Sequence, residues 1–264
     1  MLHISPYLTA YILGMAFLLG AVFASFLGCL GWRMCKGESV IKGRSHCDTC
    51  GHLLGGRDLI PIFSYLMRGG KCAYCKAPIP KSSLVSEVLL ALLFVASALM
   101  WDITPILGLN LFFICILFLV TLTDFYEQII PDSCLVIASV GRLLYYFLVE
   151  GYGTKSFINL IVSGFSVALP LLLLTLLLEK LWKKEAMGGG DMKLIFVTGM
   201  YLGWEKNLLM VLIACIVGMI IGSVQMSKDE DNYFPFGPAI AIATVVCMFV
   251  GDGILGWYLS LYGM

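Results

Sequence analysis

The sequence predicts an all-α polytopic membrane protein with about eight transmembrane helices and a small polar loop domain between helices 1 and 2. Of its 264 residues, 60% are hydrophobic and 13% are charged, whereas soluble domains average about 45–50% apolar and about 25% charged residues. Most apolar residues stand in runs of about 18–25, the length that crosses the bilayer core as a helix. A stretch with nine Lys and Arg residues, 31–82, interrupts this pattern.

The first predicted span is 5–29. It is long, contains several glycines and is followed by no A-x-A cleavage site, so we interpret it as a retained helix and not as a secretory signal peptide. The sixth predicted span is short and flanked by glycines, which leaves seven as the alternative count. The later predicted spans are 83–101, 105–123, 133–150, 157–180, 191–204, 207–226 and 236–260.

The distribution of charge predicts the orientation, although the net charge of zero indicates no particular partner. Residues 31–82 carry nine basic and three acidic residues, and cytoplasmic loops are enriched in Lys and Arg. We therefore expect this loop in the cytoplasm and the N-terminus outside. Threading eight spans from there also puts EAMGGGDMKL, 185–194, and KDEDNYF, 228–234, inside. The latter is expected to be an ordinary solvated loop.

Four of the ten cysteines form two C-x2-C pairs in the polar loop, Cys47 with Cys50 and Cys72 with Cys75. Each pair turns tightly enough to direct two thiolates at one ion, and two pairs complete the tetrahedron of a structural zinc site. The gap of 21 residues between them is just outside the usual zinc-ribbon range. A loop of about 50 residues buries little core, so the metal would supply much of its folding free energy.

Disulfide or redox use of these cysteines is the competing interpretation, against which stands the reducing cytoplasm predicted for the loop. His46 and His52 flank the first pair and are expected to be bystanders, because four thiolates already fill the site. The remaining cysteines stand in or beside apolar runs, where free Cys acts as a small hydrophobic residue. They are Cys29, Cys35, Cys115, Cys134, Cys215 and Cys247.

Two acidic clusters stand at the edges of apolar runs, where acids are costly and suggest function by default. In TLTDFYEQIIPDS the third span ends at Asp124 and the fourth begins after Asp132, and in EAMGGGDMKL the sixth span begins at Asp191. The threading puts both clusters at cytoplasmic helix ends, so Asp124 and Asp191 can meet at one depth. The glycines of GDGILG, 251–256, are instead typical of close helix packing.

Three glycines, Gly188, Gly189 and Gly190, precede Asp191. Without Cβ atoms they let the backbone approach another chain closely and adopt positive φ. A non-helical segment at membrane depth is tolerated where it lines a water-accessible cavity. An extended peptide substrate beside this segment would bring its scissile bond near Asp191.

Two carboxylates that face each other in a low-dielectric site share one proton. One can then act as a base on water while the other, as an acid, polarises a peptide carbonyl. The residues alone leave proton or ion handling open as the alternative. Asp132 follows Pro131 and fits a structural helix N-cap or dipole partner, whereas Asp124 ends a helix, where a carboxylate is disfavoured.

Together these motifs resemble those of the type IV prepilin peptidases, bacterial membrane aspartic proteases with a Gly-x-Gly-Asp signature. The family's D-x5-I-P-D motif is matched at 124–132, its G-x-G-D-x-K-L motif at 188–194 and its P-F-G-P motif in PFGPAIA, 235–241. The loop passage DLIPIFSYLMRGGKCAYC, 58–75, is similar to the family's zinc region, with Asp58 and Tyr65 as departures. LVSEVL, 84–89, resembles the family's L-V-E segment with a shift of one residue.

The resemblance implies an enzyme of the bacterial cytoplasmic membrane that removes the basic leader of type IV prepilins or pseudopilins after a glycine, on the cytoplasmic face. It implies that Asp124 and Asp191 are the catalytic carboxylates. It assigns supporting roles to Asp132 and Lys193. The positive charge of Lys193 either lowers the pKa of Asp191 or anchors the helix at the interface. The chain then divides into a first transmembrane helix (1–30), a tetracysteine zinc loop (31–82) and a membrane aspartic peptidase core (83–264).

The resemblance further implies methylation of the new N-terminus with S-adenosylmethionine, for which the residues themselves indicate no binding site. The expected partners are precursor proteins and the lipid bilayer, and no nucleic acid. Two other classes of function remain open from the residues alone. A thiol-disulfide oxidoreductase would use the C-x2-C pairs and lack zinc, and a proton-coupled transporter would use the aspartates but tends to contain internal repeats.

Overall fold

The computed structural model describes residues 5–40, 43–151, 153–183, 187–226 and 235–261. KDEDNYF, 228–234, and the first two residues of EAMGGGDMKL lie outside the described residues. The chain divides into two compact units, 1–122 and 123–264. In the part that the structure describes, the regular secondary structure is helical. Two isolated β-bridges occur in the cysteine loop.

The first unit contains the cysteine loop and the helices that flank it. Its elements are α1 (Pro6–Lys36), a 3₁₀ turn (Gly56–Asp58), α2 (Phe63–Met67), α3 (Lys81–Trp101) and most of α4 (Pro105–Glu127). Helices α1 and α3 pack closely at Gly20, where an added Cβ would lie 2.7 Å from the Cα of Ala91. Helix α1 ends at Gly37, whose left-handed φ of 66° suits a residue without a side chain.

The second unit begins near the end of α4. It continues with α5 (Asp132–Tyr145), a π-helical turn (Tyr146–Glu150), α6 (Thr154–Trp182), α7 (Gly189–Leu202), α8 (Trp204–Met226) and α9 (Gly237–Ser260). Helix α7 contacts α5, α6, α8 and α9, and 8 of its 14 residues are buried. It is the central helix of this unit.

Seven described helices are long and apolar enough to cross a membrane: α1, α3, α4, α5 with its π-helical turn, α6, α8 and α9. The sixth predicted span is α7, whose 14 residues rise about 21 Å at about 1.5 Å per residue. That is shorter than the roughly 30 Å of hydrocarbon. The all-α polytopic fold is therefore confirmed, and the alternative count of seven full-length spans fits it, with α7 held among its neighbours.

Close backbone contact and a buried polar cluster fix the position of α7. An added Cβ on Gly199 would lie 2.5 Å from the carbonyl oxygen of Ser163 in α6. The hydroxyl of Thr198 donates to Oδ1 of Asn207 (2.9 Å), and the Asn207 amide donates to the carbonyl of Ile195 (3.2 Å). Because both polar side chains are fully buried, a rotation of α7 would leave them without these hydrogen bonds.

The prediction of close packing for GDGILG is wrong at two of its glycines. An added Cβ on Gly253 or Gly256 would meet no atom within 4 Å, whereas one on Gly251 would lie 3.2 Å from the side chain of Lys206. Among the described residues, these two positions therefore leave room for a side chain. They provide useful controls for glycine substitutions elsewhere in α9.

Candidate active site and metal centre

Asp124 lies in the last turn of α4 and is buried, with 5% of its surface exposed. Its Oδ2 accepts a hydrogen bond of 2.9 Å from the backbone N–H of Gly237, the first residue of α9. The sequence alone gave no structural reason for a carboxylate at the end of a helix. The start of a second helix supplies one, because its first N–H groups have no acceptor within their own helix.

Asp191 lies in the first turn of α7, and its backbone N–H donates to the carbonyl oxygen of Gly188 (3.1 Å). Helix α7 begins at Gly189, two residues before the predicted start of the sixth span. The side chain of Asp191 is partly buried. A carboxylate in this turn faces the positive end of the helix dipole.

The two aspartates line one cavity of about 470 Å³. The cavity is built from the end of α4 with the turn before α5 and from the start of α7, so two segments that are distant in sequence contribute to it. The two acidic clusters that the sequence singled out therefore lie beside each other. Its lining residues are Asp124, Gln128, Ile129, Ile130, Pro131, Asp132, Gly188, Gly189, Gly190, Asp191 and Lys193.

The prediction of positive φ for the glycine triplet is wrong. Gly188 is the N-cap of α7 with a φ of −64°, and neither Gly189 nor Gly190 is among the described residues with positive φ. Only Gly188 is extended, because Gly189 and Gly190 already belong to the helix. The triplet is therefore a helix start and not a non-helical segment.

Close approach, the other role expected of these glycines, occurs at two of the three positions. An added Cβ on Gly188 would lie 3.1 Å from Oδ2 of Asp191, and one on Gly190 would lie 3.0 Å from Cβ of Ile130. Around Gly189 no atom lies within 4 Å of an added Cβ. The crowding thus coincides with the two glycines of the G-x-G motif, and the open position is its variable residue.

Asp132 and Lys193 form an ion pair, with 2.7 Å between Nζ and Oδ1. Asp132 is the first residue of α5, and the N-cap of that helix is Pro131 without a side-chain hydrogen bond. The N-cap interpretation of Asp132 is therefore wrong, while its place beside the helix dipole holds. Both side chains are exposed, so the pair stabilises the contact of α5 with α7 by at most about 1 kcal/mol.

The four loop cysteines form a candidate metal centre in the first unit. The sulfur atoms of Cys47, Cys50, Cys72 and Cys75 all lie within 4.8 Å of one another. The distance between Sγ of Cys47 and Sγ of Cys75 is 3.8 Å. A tetrahedron with Zn–S bonds of about 2.3 Å has edges of about 3.8 Å, so the four residues are close enough together to hold a structural zinc ion.

The two C-x2-C pairs have the same backbone design. The N–H of Cys47 donates to the carbonyl of His52, and that of Cys72 donates to the carbonyl of Ala77 (3.0 and 2.8 Å). The residue after the second cysteine has positive φ in both, 69° at Gly51 and 63° at Lys76. The backbone N–H groups of Cys50 and Thr49 lower the pKa of Cys47 to about 6, which favours the thiolate that a metal binds.

The two histidines lie outside this cluster. His52 stacks on Tyr74, with ring centroids 3.5 Å apart, and His46 pairs with Leu53 in a β-bridge. Their expected role as bystanders agrees with these contacts. Stacking of His52 on the residue before Cys75 joins the two halves of the loop.

Asp58, where the loop departs from the family's motif, has structural contacts of its own. Oδ2 of Asp58 accepts the backbone N–H of Gly55 (2.7 Å), and Oδ1 forms an ion pair with Arg68. The Gly55 N–H and the Arg68 guanidinium hold the pKa of this carboxyl below its ordinary value. An asparagine could accept the same N–H but would carry no charge for the arginine.

Glu87 of LVSEVL anchors the loop to α3. It is buried, and its Oε2 accepts the backbone N–H of Ile62 (2.7 Å). Ile62 has a φ of 63°, a conformation that is strained for a β-branched side chain. The buried carboxylate therefore stabilises a turn that the chain would otherwise avoid.

Comparisons with known proteins are consistent across the chain. Residues 18–101 match the model of the bacterial peptidase A24 N-terminal domain, and residues 111–223 match that of the type IV leader peptidase family. The chain is similar to the prepilin leader peptidase/N-methyltransferase of Aeromonas hydrophila, with 32% identity over 82% of this chain and 75% of the relative. The corresponding proteins of Legionella pneumophila (31%; 83% and 76%) and Bacillus subtilis (28%; 94% and 98%) are also similar. No solved structure matches the chain significantly.

Proposed function

Because the chain belongs to the type IV leader peptidase family, we propose that it is a membrane aspartic endopeptidase acting on type IV prepilins or pseudopilins. It removes their basic leader after a glycine. The observation that carries this proposal is the shared cavity of Asp124 and Asp191, two acids that lie 67 residues apart in the sequence. The relatives' name, prepilin leader peptidase/N-methyltransferase, describes the same substrate class.

In the proposed reaction the two carboxylates share one proton. The ionised carboxylate takes a proton from water as the oxygen attacks the peptide carbonyl, and the protonated one gives its proton to the carbonyl oxygen. The tetrahedral intermediate then breaks its C–N bond, and a proton passes to the departing nitrogen. The products are a leader with a new carboxylate and a mature protein with a new amine.

The charges around the cavity support a basic leader as the ligand. Asp124, Asp132 and Asp191 line it together with one base, Lys193. Lys193 is paired with Asp132, so the catalytic carboxylates supply the net negative charge. We propose that the cavity opens at the cytoplasmic face, because the loop with nine Lys and Arg residues, 31–82, favours that orientation.

We further propose that the new amine is methylated, because the relatives are named as N-methyltransferases. S-adenosylmethionine, when bound, supplies the methyl group, and we assign it no residues. The zinc loop, 31–82, is a structural element of this enzyme, between the first helix, 1–30, and the peptidase core, 83–264. One zinc ion per chain would support this role, whereas a thiol oxidoreductase with zinc-free, redox-active cysteine pairs is the alternative.

The test is mass spectrometry of a synthetic precursor incubated with membranes that contain the protein. With the wild type we expect loss of the leader and, with S-adenosylmethionine added, a gain of one methyl group. Asp124→Asn and Asp191→Asn each remove an acid–base group, so both should leave the precursor intact. Asp252→Asn is the matched control, since it makes the same change at an acid of α9 that is paired with Lys206 and is not among the residues that line the cavity.

We expect Asp252→Asn to cleave the precursor at a rate within a few-fold of the wild type. Cleavage by both catalytic-site variants would reject the aspartic mechanism and favour proton coupling in a transporter. Cleavage without a methyl group on the product would reject only the second activity.

A further inference from the structure

The first N–H of α9 is directed at Asp124. Gly237 donates to Oδ2 of Asp124 across 113 residues of sequence, in a hydrogen bond of 2.9 Å between buried groups. The next residue is Pro238, which has no N–H, so the proline adds no second donor beside Gly237. A hydrogen bond to a carboxylate is about twice as strong as one between neutral groups.

The absence of a side chain at Gly237 is as specific as its N–H. An added Cβ would lie 2.6 Å from Oδ2, 3.1 Å from Cγ and 3.3 Å from Cβ of Asp124. Distances below 3.0 Å require something to shift, and both partners are part of helices. Any residue other than glycine at this position therefore displaces the carboxylate of Asp124 or the start of α9.

We propose that Gly237 is a positioning residue that acts through Asp124, fixing its carboxylate in the cavity and stabilising its ionised form. This inference rests on the proposed function. It gives PFGPAIA, 235–241, a role that its sequence did not suggest. Gly237 leaves room for the carboxylate of Asp124, and its N–H binds that carboxylate. Pro238 follows at the second position of the helix.

Among the described residues, few other charges lie near Asp124. The cavity that it lines also contains Asp191 on α7 and the pair of Asp132 with Lys193. On its own helix the neighbouring acid is Glu127, and the single charged residue of α9 is Asp252, which is paired with Lys206. The effect of α9 on Asp124 therefore comes from its first turn and not from a charged side chain.

The test compares Gly237→Ala with Gly253→Ala, a glycine of the same helix at which a Cβ meets no atom within 4 Å. Cleavage of the synthetic precursor is followed from about pH 5 to 9, with kcat and KM obtained separately. Displacement of a catalytic group by about 1 Å lowers the rate by about 100-fold. We expect kcat of Gly237→Ala to fall by about 10–100-fold, with KM unchanged.

The pH profile separates positioning from general damage. Gly237→Ala weakens the hydrogen bond to Asp124, so the limb of the profile that reports this residue should move relative to the wild type. Gly253→Ala should keep both kcat and the profile of the wild type. A Gly237→Ala protein with an unchanged kcat, or a lower kcat with an unchanged profile, would overturn the inference.

A second variant keeps the test valid if Gly237→Ala does not fold. Replacing the backbone amide of residue 237 by an ester deletes the N–H and adds no atom, so it probes the hydrogen bond without the steric conflict. It should produce the same shift of the profile. If wild-type protein does not cleave the precursor, the proposed function fails. If it cleaves and neither variant moves the profile, only the role of Gly237 fails.

Discussion

At the scale of single residues, steric space distinguishes glycines that look equivalent in the sequence. Gly190 lies against Ile130, and Gly189 lies beside open space, although both stand in the first turn of α7. Alanine is favoured over glycine in helices by up to about 1 kcal/mol. The change in stability caused by adding one methyl group should therefore have opposite signs at these neighbouring positions.

We predict that Gly189→Ala leaves thermal stability unchanged or raises it slightly. Gly190→Ala should lower stability by about 1–3 kcal/mol, because its Cβ would overlap Ile130. The measurement is thermal unfolding of the two purified variants in detergent, beside the wild type. Equal stability of the two variants would show that the turn before α5 moves aside without loss.

At the scale of elements, the cysteine loop contains an ion pair whose effect on stability depends on pH. Asp58 is held ionised by the N–H of Gly55 and by Arg68, which lower its pKa. A carboxyl with a lowered pKa in the folded state stabilises that state above its ordinary pKa of about 3.9, and this stabilisation is lost as the pH falls. Asp58→Asn should therefore weaken the loop most at neutral pH.

The difference in thermal midpoint between wild type and Asp58→Asn, followed by release of zinc, should be present at pH 7 and nearly constant down to about pH 5. It should begin to shrink only as the pH approaches and falls below about 4, the ordinary pKa of the carboxyl. Arg68→Gln should lower the midpoint similarly at pH 7, and the double variant should add little to either single change. The absence of a difference at pH 7 would mean that the charge of Asp58 does not stabilise the loop.

The sequence predicted the helices of the membrane well because their length and apolar runs are local properties. It also singled out the four cysteines that cluster and the two aspartates that line one cavity, since their spacing and their cost in an apolar setting are visible in the chain. The contact of Gly237 with Asp124 was missed, because it joins residues 113 positions apart. The sequence also missed the conformation of Gly188. This residue caps α7 with a negative φ, because the helix begins two residues earlier than the apolar pattern predicted.

At the scale of the whole molecule, the two compact units differ in what stabilises them. Of the described loop residues within 43–80, only Gly70 and Cys72 are buried, so hydrophobic packing contributes little to this part of the first unit. Unit 123–264 instead contains the buried helix α7 and its polar cluster with Asn207. The loop should depend on metal, and the helices of the second unit should not.

Removal of zinc tests this difference within one molecule. After treatment with a strong chelator, we expect amide hydrogens of residues 43–80 to exchange fast, as the bonds of Cys47 and Cys72 to their turns are lost. Amides of α7 and α9 should keep their protection, because their hydrogen bonds lie inside helices packed on other helices.

Cys47→Ser with Cys72→Ser is the matched variant, and Cys134→Ser, a buried cysteine outside the cluster, is the control. Loss of protection in α7 on chelation would show that the metal stabilises the second unit as well, and full protection of 43–80 would show that the loop folds by its own contacts.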